Sequence, residues 1–244
     1  MTSLLVLTAV EIEARGLARH LALEAVPGGD RAHFRGGLLE IACVGIGAVE
    51  LARRAAAWRA PTVVVSAGVC GALAPGLAAG DLVIPDAVLT EDGARLLTAP
   101  LPPLVAASRL LSVSRVAATP AAKARLFVQT GAVAMDMESA AILTWAAGRG
   151  VPAAVVRAVS DTAAESVPPE LAALVEPGGR LRTASAVRLA LTRPRTISGA
   201  LSLGRGTAAA LAAVAAALAR VARASSQGGA PARDVARPTR RSEG

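Results

Sequence analysis

The chain has 244 residues and an apolar fraction of 53%, enough to fill the core of one sizeable domain, with a formal charge of +8. Two Phe, two Trp and no Tyr leave no set of aromatic faces for stacking bases, which argues against a nucleic-acid platform. Residues 1–176 carry 14 Lys or Arg against 16 Asp or Glu, whereas 177–233 carry nine Arg and no acid, so the basicity belongs to the C-terminal quarter. It speaks about location or partners rather than chemistry.

In chain order, Leu4 to Leu7 predicts a buried strand and Glu11 to Leu23 a helix with Ile12, Leu17 and Leu21 as its apolar positions. Turn signals at Pro27-Gly28-Gly29-Asp30 and Gly36-Gly37 predict a hairpin, followed by a strand over Leu39 to Val44. Gly45-Ile46-Gly47 reads as a tight turn into a helix over Ala48 to Trp58. Thr62 to Ser66 predicts a strand ending in a loop, Ala67 to Ala72, and Gly80 to Pro85 a short strand stopped by proline. A Pro-rich loop and a helix are expected over Leu97 to Leu111, then a strand over Val113 to Ala117. Thr119-Pro120 should cap a helix over Ala121 to Phe127, with proline at the first helical position. A strand over Ala132 to Ala134, a helix over Met137 to Ala147 and a strand over Ala153 to Val159 complete the alternation. The pattern predicts an α/β fold: a single domain with a mostly parallel, twisted central sheet flanked by helices.

Beyond Pro168, short helices separated by Pro177-Gly178-Gly179 and by Arg193-Pro194-Arg195 are expected, then an Ala-rich helix over Thr207 to Ala224 with Leu211, Val214, Leu218 and Val221 on one face. The organisation predicted is a core over 1–166, a helical Arg-rich extension over 167–224, and a disordered tail over 225–244 whose Ser, Gly, Pro and Arg lack an apolar pattern. The extension reads either as a basic amphipathic surface for anionic lipid headgroups, a peripheral membrane contact, or as a solvated helical cap. No run reaches the ~20 apolar residues of a membrane span without an Arg. The short apolar run at Leu4 to Leu7 has no basic leader, so the reading is cytoplasmic with reduced thiols. Cys43 and Cys70 read as buried small hydrophobes, and neither they nor His20 and His33 have metal-ligand spacing; no metal or cofactor is expected.

Chemistry concentrates in Met135-Asp136-Met137-Glu138-Ser139 and Val155-Val156-Arg157-Ala158-Val159-Ser160-Asp161. Asp136 fits a helix cap; Glu138 reads as first-turn dipole decoration or as a hydroxyl ligand. Asp161 ends an apolar strand, where ligands of open α/β sheets bind, though a loop Asp making an Asx turn is the plainer alternative.

These two runs, with Ala9-Val10-Glu11-Ile12-Glu13, Gly45-Ile46-Gly47 and Gly68-Val69-Cys70-Gly71-Ala72-Leu73-Ala74-Pro75 plus Gly80-Asp81, resemble the nucleoside phosphorylase and nucleosidase superfamily, which includes purine nucleoside phosphorylases and methylthioadenosine/S-adenosylhomocysteine nucleosidases. Five motifs in the family's order make the resemblance specific where each alone is weak. Glu13-Ala14-Arg15, Ala118 to Lys123 and the Pro-rich extension with its Arg- and Leu-rich helices are most similar to the hopanoid-associated branch, thought to remove adenine from adenosylhopane. The resemblance implies Asp161 as general acid for the leaving purine, Glu13 as the carboxylate that handles the attacking water, and Glu138 as acceptor for the ribose hydroxyls. It further implies Met137 as an apolar plate beneath the sugar, Gly68, Val69 and Ser160 as substrate-binding positions, and a homo-oligomer.

The chain departs from the phosphorylases: it lacks their Gly-Asp-Pro phosphate loop, and Val69 and Cys70 stand where a Ser or Thr is usual. Both favour water over phosphate as nucleophile, while Arg15 reads either as a phosphate ligand or as a solvated helix residue. The stacking Phe of the methylthioadenosine nucleosidases has no counterpart around Thr119. Three readings follow: adenine release from a lipid-linked adenosine, a soluble nucleosidase for methylthioadenosine, S-adenosylhomocysteine or futalosine, and a non-catalytic nucleoside- or lipid-binding protein.

Overall fold

Strand β1, Leu4–Thr8, is buried along its whole length, and its alternate side chains feed two different cores. Leu4 and Val6 face one side of the sheet and Leu5 and Leu7 the other, the two-residue period of a strand covered on both faces. The computed structural model describes residues 3–28, 31–167 and 194–227. β1 lies parallel to both β4, Leu39–Cys43, and β5, Val63–Ala72. The other edge of β5 pairs in parallel with β11, Ala153–Asp161. A second parallel block, β7 (Pro85–Thr90), β9 (Ser108–Ser112) and β10 (Ala134–Asp136), joins the first where β10 runs antiparallel to the far end of β5. The small strands β2 (Glu24–Ala25), β3 (His33–Gly36), β6 (Leu82–Val83) and β8 (Arg95–Leu97) add antiparallel margins to an eleven-stranded sheet.

Helices cover both faces. On one, α1 (Glu11–His20) and the long terminal helix α5 (Pro194–Gln227) share a core in which Leu17, Leu211, Val214, Leu218 and Val221 meet Val6, Val156 and Ala158. Each large aliphatic buried there contributes about 1.5–3 kcal/mol of transfer free energy. On the other face α4 (Ser139–Ala147) presses Ile142, Leu143 and Ala146 onto Leu5, Val64 and Val155. Trp145 of α4 meets Trp58 edge-on at 5.7 Å between ring centres, with the Arg149 guanidinium 4.3 Å above the Trp145 ring. The stretch Gly204–Gln227 has the length and hydropathy of a membrane span despite its three arginines, but its apolar face is taken up by the sheet. Helix α5 starts earlier than the expected Thr207 and runs past Ala224 to Gln227, so the first three residues of the expected tail, 225–227, are helical, while the short helices expected before Pro194 and residues 228–244 lie outside the described residues.

Three expectations are corrected. The loop assigned to Ala67–Ala72 is the second half of β5, because its glycines thin the strand where side chains cross it while the backbone ladder continues. The helix expected within Leu97–Leu111 and the strand over Val113–Ala117 give way to β8 and β9, whose central place between β7 and β10 comes from pairing partners remote in sequence. The helix over Ala48–Trp58 is broken into two 3₁₀ turns around a four-residue α2, Leu51–Arg54. Left-handed backbone at Gly47 (φ 64°) and Ala48 (φ 57°) delays it, with the Gly47 N–H turned towards Glu138. Helix α3, Pro120–Thr130, begins as expected: Thr119 Oγ1 accepts the Ala122 N–H at 3.2 Å, and Gly131 closes it in a left-handed turn.

Candidate active site

Glu13 sits in the first turn of α1 and turns inward, 2% exposed. Its Oε2 accepts the N–H groups of Ala9 (3.0 Å) and Val10 (3.2 Å), and Oε1 accepts that of Val69 (2.9 Å). A side chain held by three backbone donors cannot swing, and one lone pair on Oε1 stays available for a ligand or a water. Burial raises its pKa above the ordinary carboxylate value, against the opposing pull of Arg157 and the three N–H groups. Gly68 is what makes room: a Cβ there would lie 2.5 Å from Glu13 Oε1 and 2.8 Å from Arg157 Nη1, at a φ of +147° that disfavours any side chain.

Arg157 organises the site. It projects from the middle of β11 with no exposure, 2.7 Å from Asp136 Oδ2 and 3.5 Å from Glu138 Oε2, and it donates to Ser66 Oγ at 2.9 Å. Burial opposes its charge, and Asp136, Glu138 and Glu13 together outweigh that, holding the guanidinium above its ordinary value. Asp136 also accepts the Ser139 N–H at 3.0 Å, so the expected helix-capping contact is present alongside an ion pair. Glu138 accepts the Gly47 N–H at 3.1 Å; burial first, then Asp136 and Glu13, pushes its pKa up to about 7. Three carboxylates thus share one guanidinium. Sequence reasoning did not single out Arg157, although a lone charge inside the apolar run Ala153–Val159 was a usable signal.

Asp161 stands at the other end of the site, where a register shift in β11 after Val159 turns the chain. Its Oδ2 accepts from Lys123 Nζ at 2.7 Å, and its Oδ1 from the hydroxyl of Ser160 at 2.7 Å. Ser160 Oγ has a second acceptor in the Cys70 carbonyl at 3.2 Å. The Cβ position of Gly71 lies 3.1 Å from Asp161 Oδ2, so Glu13 and Asp161 adjoin two glycines of β5 three residues apart. Lys123, one turn into α3, was also not singled out from the sequence; it is fully buried and 38 residues from its partner.

Of the residues expected in the site, Glu13, Gly68 and Val69 adjoin one another, Glu138 joins them through Arg157, and Ser160 adjoins Asp161. Met137 is half-buried and packs against the small core that holds Met135 and Leu111. Arg15 is elsewhere: two helical positions from Glu13, it points outward, 58% exposed, and pairs with Glu11 at 2.7 Å. Cys43 and Cys70 are buried, and burial pushes both thiols up, Cys43 to about 11, so neither is a nucleophile at neutral pH.

Comparison with solved structures finds the same fold at low identity. Futalosine hydrolase of Helicobacter pylori superposes with a TM-score of 0.67 at 16% identity, covering 91% of this chain and 98% of that one. The 5′-methylthioadenosine nucleosidase of Arabidopsis thaliana gives 0.67 at 16%, covering 91% and 95%. The 5′-methylthioadenosine/S-adenosylhomocysteine nucleosidase of Neisseria meningitidis, in complex with methylthio-immucillin-A, gives 0.65 at 20%, covering 92% and 100%. No curated protein matches. The family model described as the phosphorylase superfamily matches residues 3–113 and 101–191, well over half of the sequence, and the chain belongs to that superfamily.

Proposed function

We propose that this protein cleaves the N-glycosidic bond of a purine nucleoside with water as nucleophile. The observation that carries this reading is the pair of buried carboxylates over β5, one fixed by backbone N–H groups and one wired to a cation. A departing purine anion needs a proton as its bond to the sugar stretches, and Asp161 is the group placed to deliver it. Glu13 keeps a lone pair for the attacking water, and Glu138 offers its carboxylate to the ribose hydroxyls in competition with Gly47. Water is favoured over phosphate by charge: Glu13, Asp136 and Glu138 already crowd the one guanidinium among them, and an incoming dianion meets more repulsion than attraction. Arg15, engaged with Glu11 at the surface, does not change that balance.

The substrate we favour is adenosylhopane, with adenine as product. Supporting this are the hopanoid-type features of the sequence and two bulky apolar side chains left in solvent beside the site: Ile12, next to Glu13, is 56% exposed, and Val49, two residues past Gly47, is 60% exposed. The structural neighbours named for methylthioadenosine, S-adenosylhomocysteine and futalosine favour a second reading, a nucleosidase for one of those smaller nucleosides. Incubation with adenosylhopane and with methylthioadenosine, with and without phosphate, decides between them. Adenine and a free ribosyl sugar are expected from adenosylhopane at a rate indifferent to phosphate; a sugar 1-phosphate would overturn the choice of water. Asp161→Asn is expected to lower adenine release by about 10²–10⁴-fold while leaving nucleoside binding in place.

A further inference from the structure

Of the 26 basic residues in the chain 25 are arginine, and the single lysine, Lys123, is fully buried against Asp161. Its three N–H donors have three acceptors: Asp161 Oδ2 at 2.7 Å, the Thr162 carbonyl at 2.6 Å and the Glu165 carbonyl at 2.9 Å. A compact ammonium fills this site completely; a planar guanidinium carries five donors and needs a wider cradle. The two cations also differ in chemistry, since an amine can surrender a proton inside a protein and a guanidinium cannot.

The other side of Asp161 matters equally. Ser160 has one hydroxyl proton, and Asp161 Oδ1, at 2.7 Å, is a nearer acceptor than the Cys70 carbonyl at 3.2 Å. Both carboxylate oxygens therefore receive hydrogen bonds. A proton that Asp161 hands to a leaving base can be replaced along either of these two bonds. Drawing it from Ser160 would leave an alkoxide; drawing it from Lys123 leaves a neutral amine hydrogen-bonded to the carboxylate, by far the weaker base of the two.

We propose that Lys123 is a positioning residue that acts through Asp161, fixing the carboxylate and resupplying the proton that the leaving purine takes. The proposal rests on the reading of Asp161 as the general acid. As the C1′–N bond breaks and its electron pair departs with the base, the base nitrogen takes a proton from Asp161, and a proton moves from Lys123 Nζ to Asp161 Oδ2. Water adds to C1′ and loses its proton to Glu13. Solvent returns that proton from Glu13 to the Lys123 amine once the products have left, so the cycle closes without any other reactant. The same ammonium ties α3 to the segment Asp161–Glu165, where Thr162 N–H is also held by Glu165 Oε2 at 2.7 Å.

The test uses the full chain, with adenine release from adenosylhopane as the assay. Lys123→Met and Lys123→Arg are both expected to lower kcat by at least about 100-fold with KM within a few-fold of the parent. Parental kcat in Lys123→Arg would overturn the proton supply, because a guanidinium keeps the charge and withholds the proton. Parental kcat in both, with Asp161→Asn inactive, would overturn the role of Lys123 and leave the acid in place; an active Asp161→Asn would overturn the functional reading instead. Should a variant fail to fold, the unsubstituted protein still answers, since ¹⁵N-lysine labelling gives one side-chain resonance. That resonance is expected to shift on saturation with adenine, and a fixed resonance would overturn the coupling.

Discussion

Gly68 is occupied space in all but name, since the volume a methyl group would fill belongs to Glu13 and Arg157. Gly68→Ala has to push one of them aside and accept a strained backbone, and Glu13 is tied by three N–H groups that cannot follow it. We expect adenine release to fall by at least about 100-fold, the scale of losing a positioned acid or base, with the fold retained by circular dichroism. Glu138→Gln makes a different point. The carboxyl of Glu138 stays protonated to about pH 7 in the folded protein and only to about 4.5 in the unfolded chain, so the native state binds the extra proton between those values. Native stability drawn from this group is therefore present below pH 4.5 and is lost as pH rises to 7, up to about 3 kcal/mol. Melting temperatures at pH 5 and pH 8 test this: the gain of the Gln variant over the parent should grow with pH.

At the scale of elements, the decisive contact is between α5 and the end of β11. A Cβ on Gly206 would lie 2.0 Å from the Ser160 carbonyl carbon's oxygen, so the helix touches the strand backbone one residue before Asp161. Gly206→Ala is expected to lower activity far more than Leu218→Ala, although the latter should cost more stability, about 2–5 kcal/mol. Paired measurements of kcat and of denaturant midpoint check that inversion. The same contact shows what was legible in the sequence. The apolar face of α5 could be read from Leu211, Val214, Leu218 and Val221, but that face is a period, not an address, and says nothing about which strand it meets. Strand β5 was half legible: Val63–Ser66 announced itself, while Gly68 and Gly71, which read as loop, are glycine because carboxylates cross there. Glu13, Glu138 and Asp161 stood out as rare acids beside motifs; Arg157 and Lys123 did not, because their partners are set by strand pairing and helix docking rather than by spacing.

For the molecule as a whole, charge and site separate along the sequence: the carboxylates of the site lie between Glu13 and Asp161, whereas 177–233 carry nine Arg and no acid. Removing residues 204–244 takes Leu211, Val214, Leu218 and Val221 from the core. That truncation is expected to abolish cooperative unfolding in thermal melts, which a dispensable membrane attachment would leave unchanged.

The tryptophan pair carries an optical consequence. With no tyrosine and two tryptophans in edge contact, the ultraviolet emission of this chain comes from a single spot. One ring rides on α4, the helix that follows Glu138, and the other on the segment that follows Gly47. Those are the two groups joined by the Glu138 hydrogen bond that a ribose would have to replace. If a ribose binds Glu138 as proposed, tryptophan emission is expected to change on addition of nucleoside, which a fluorescence titration checks.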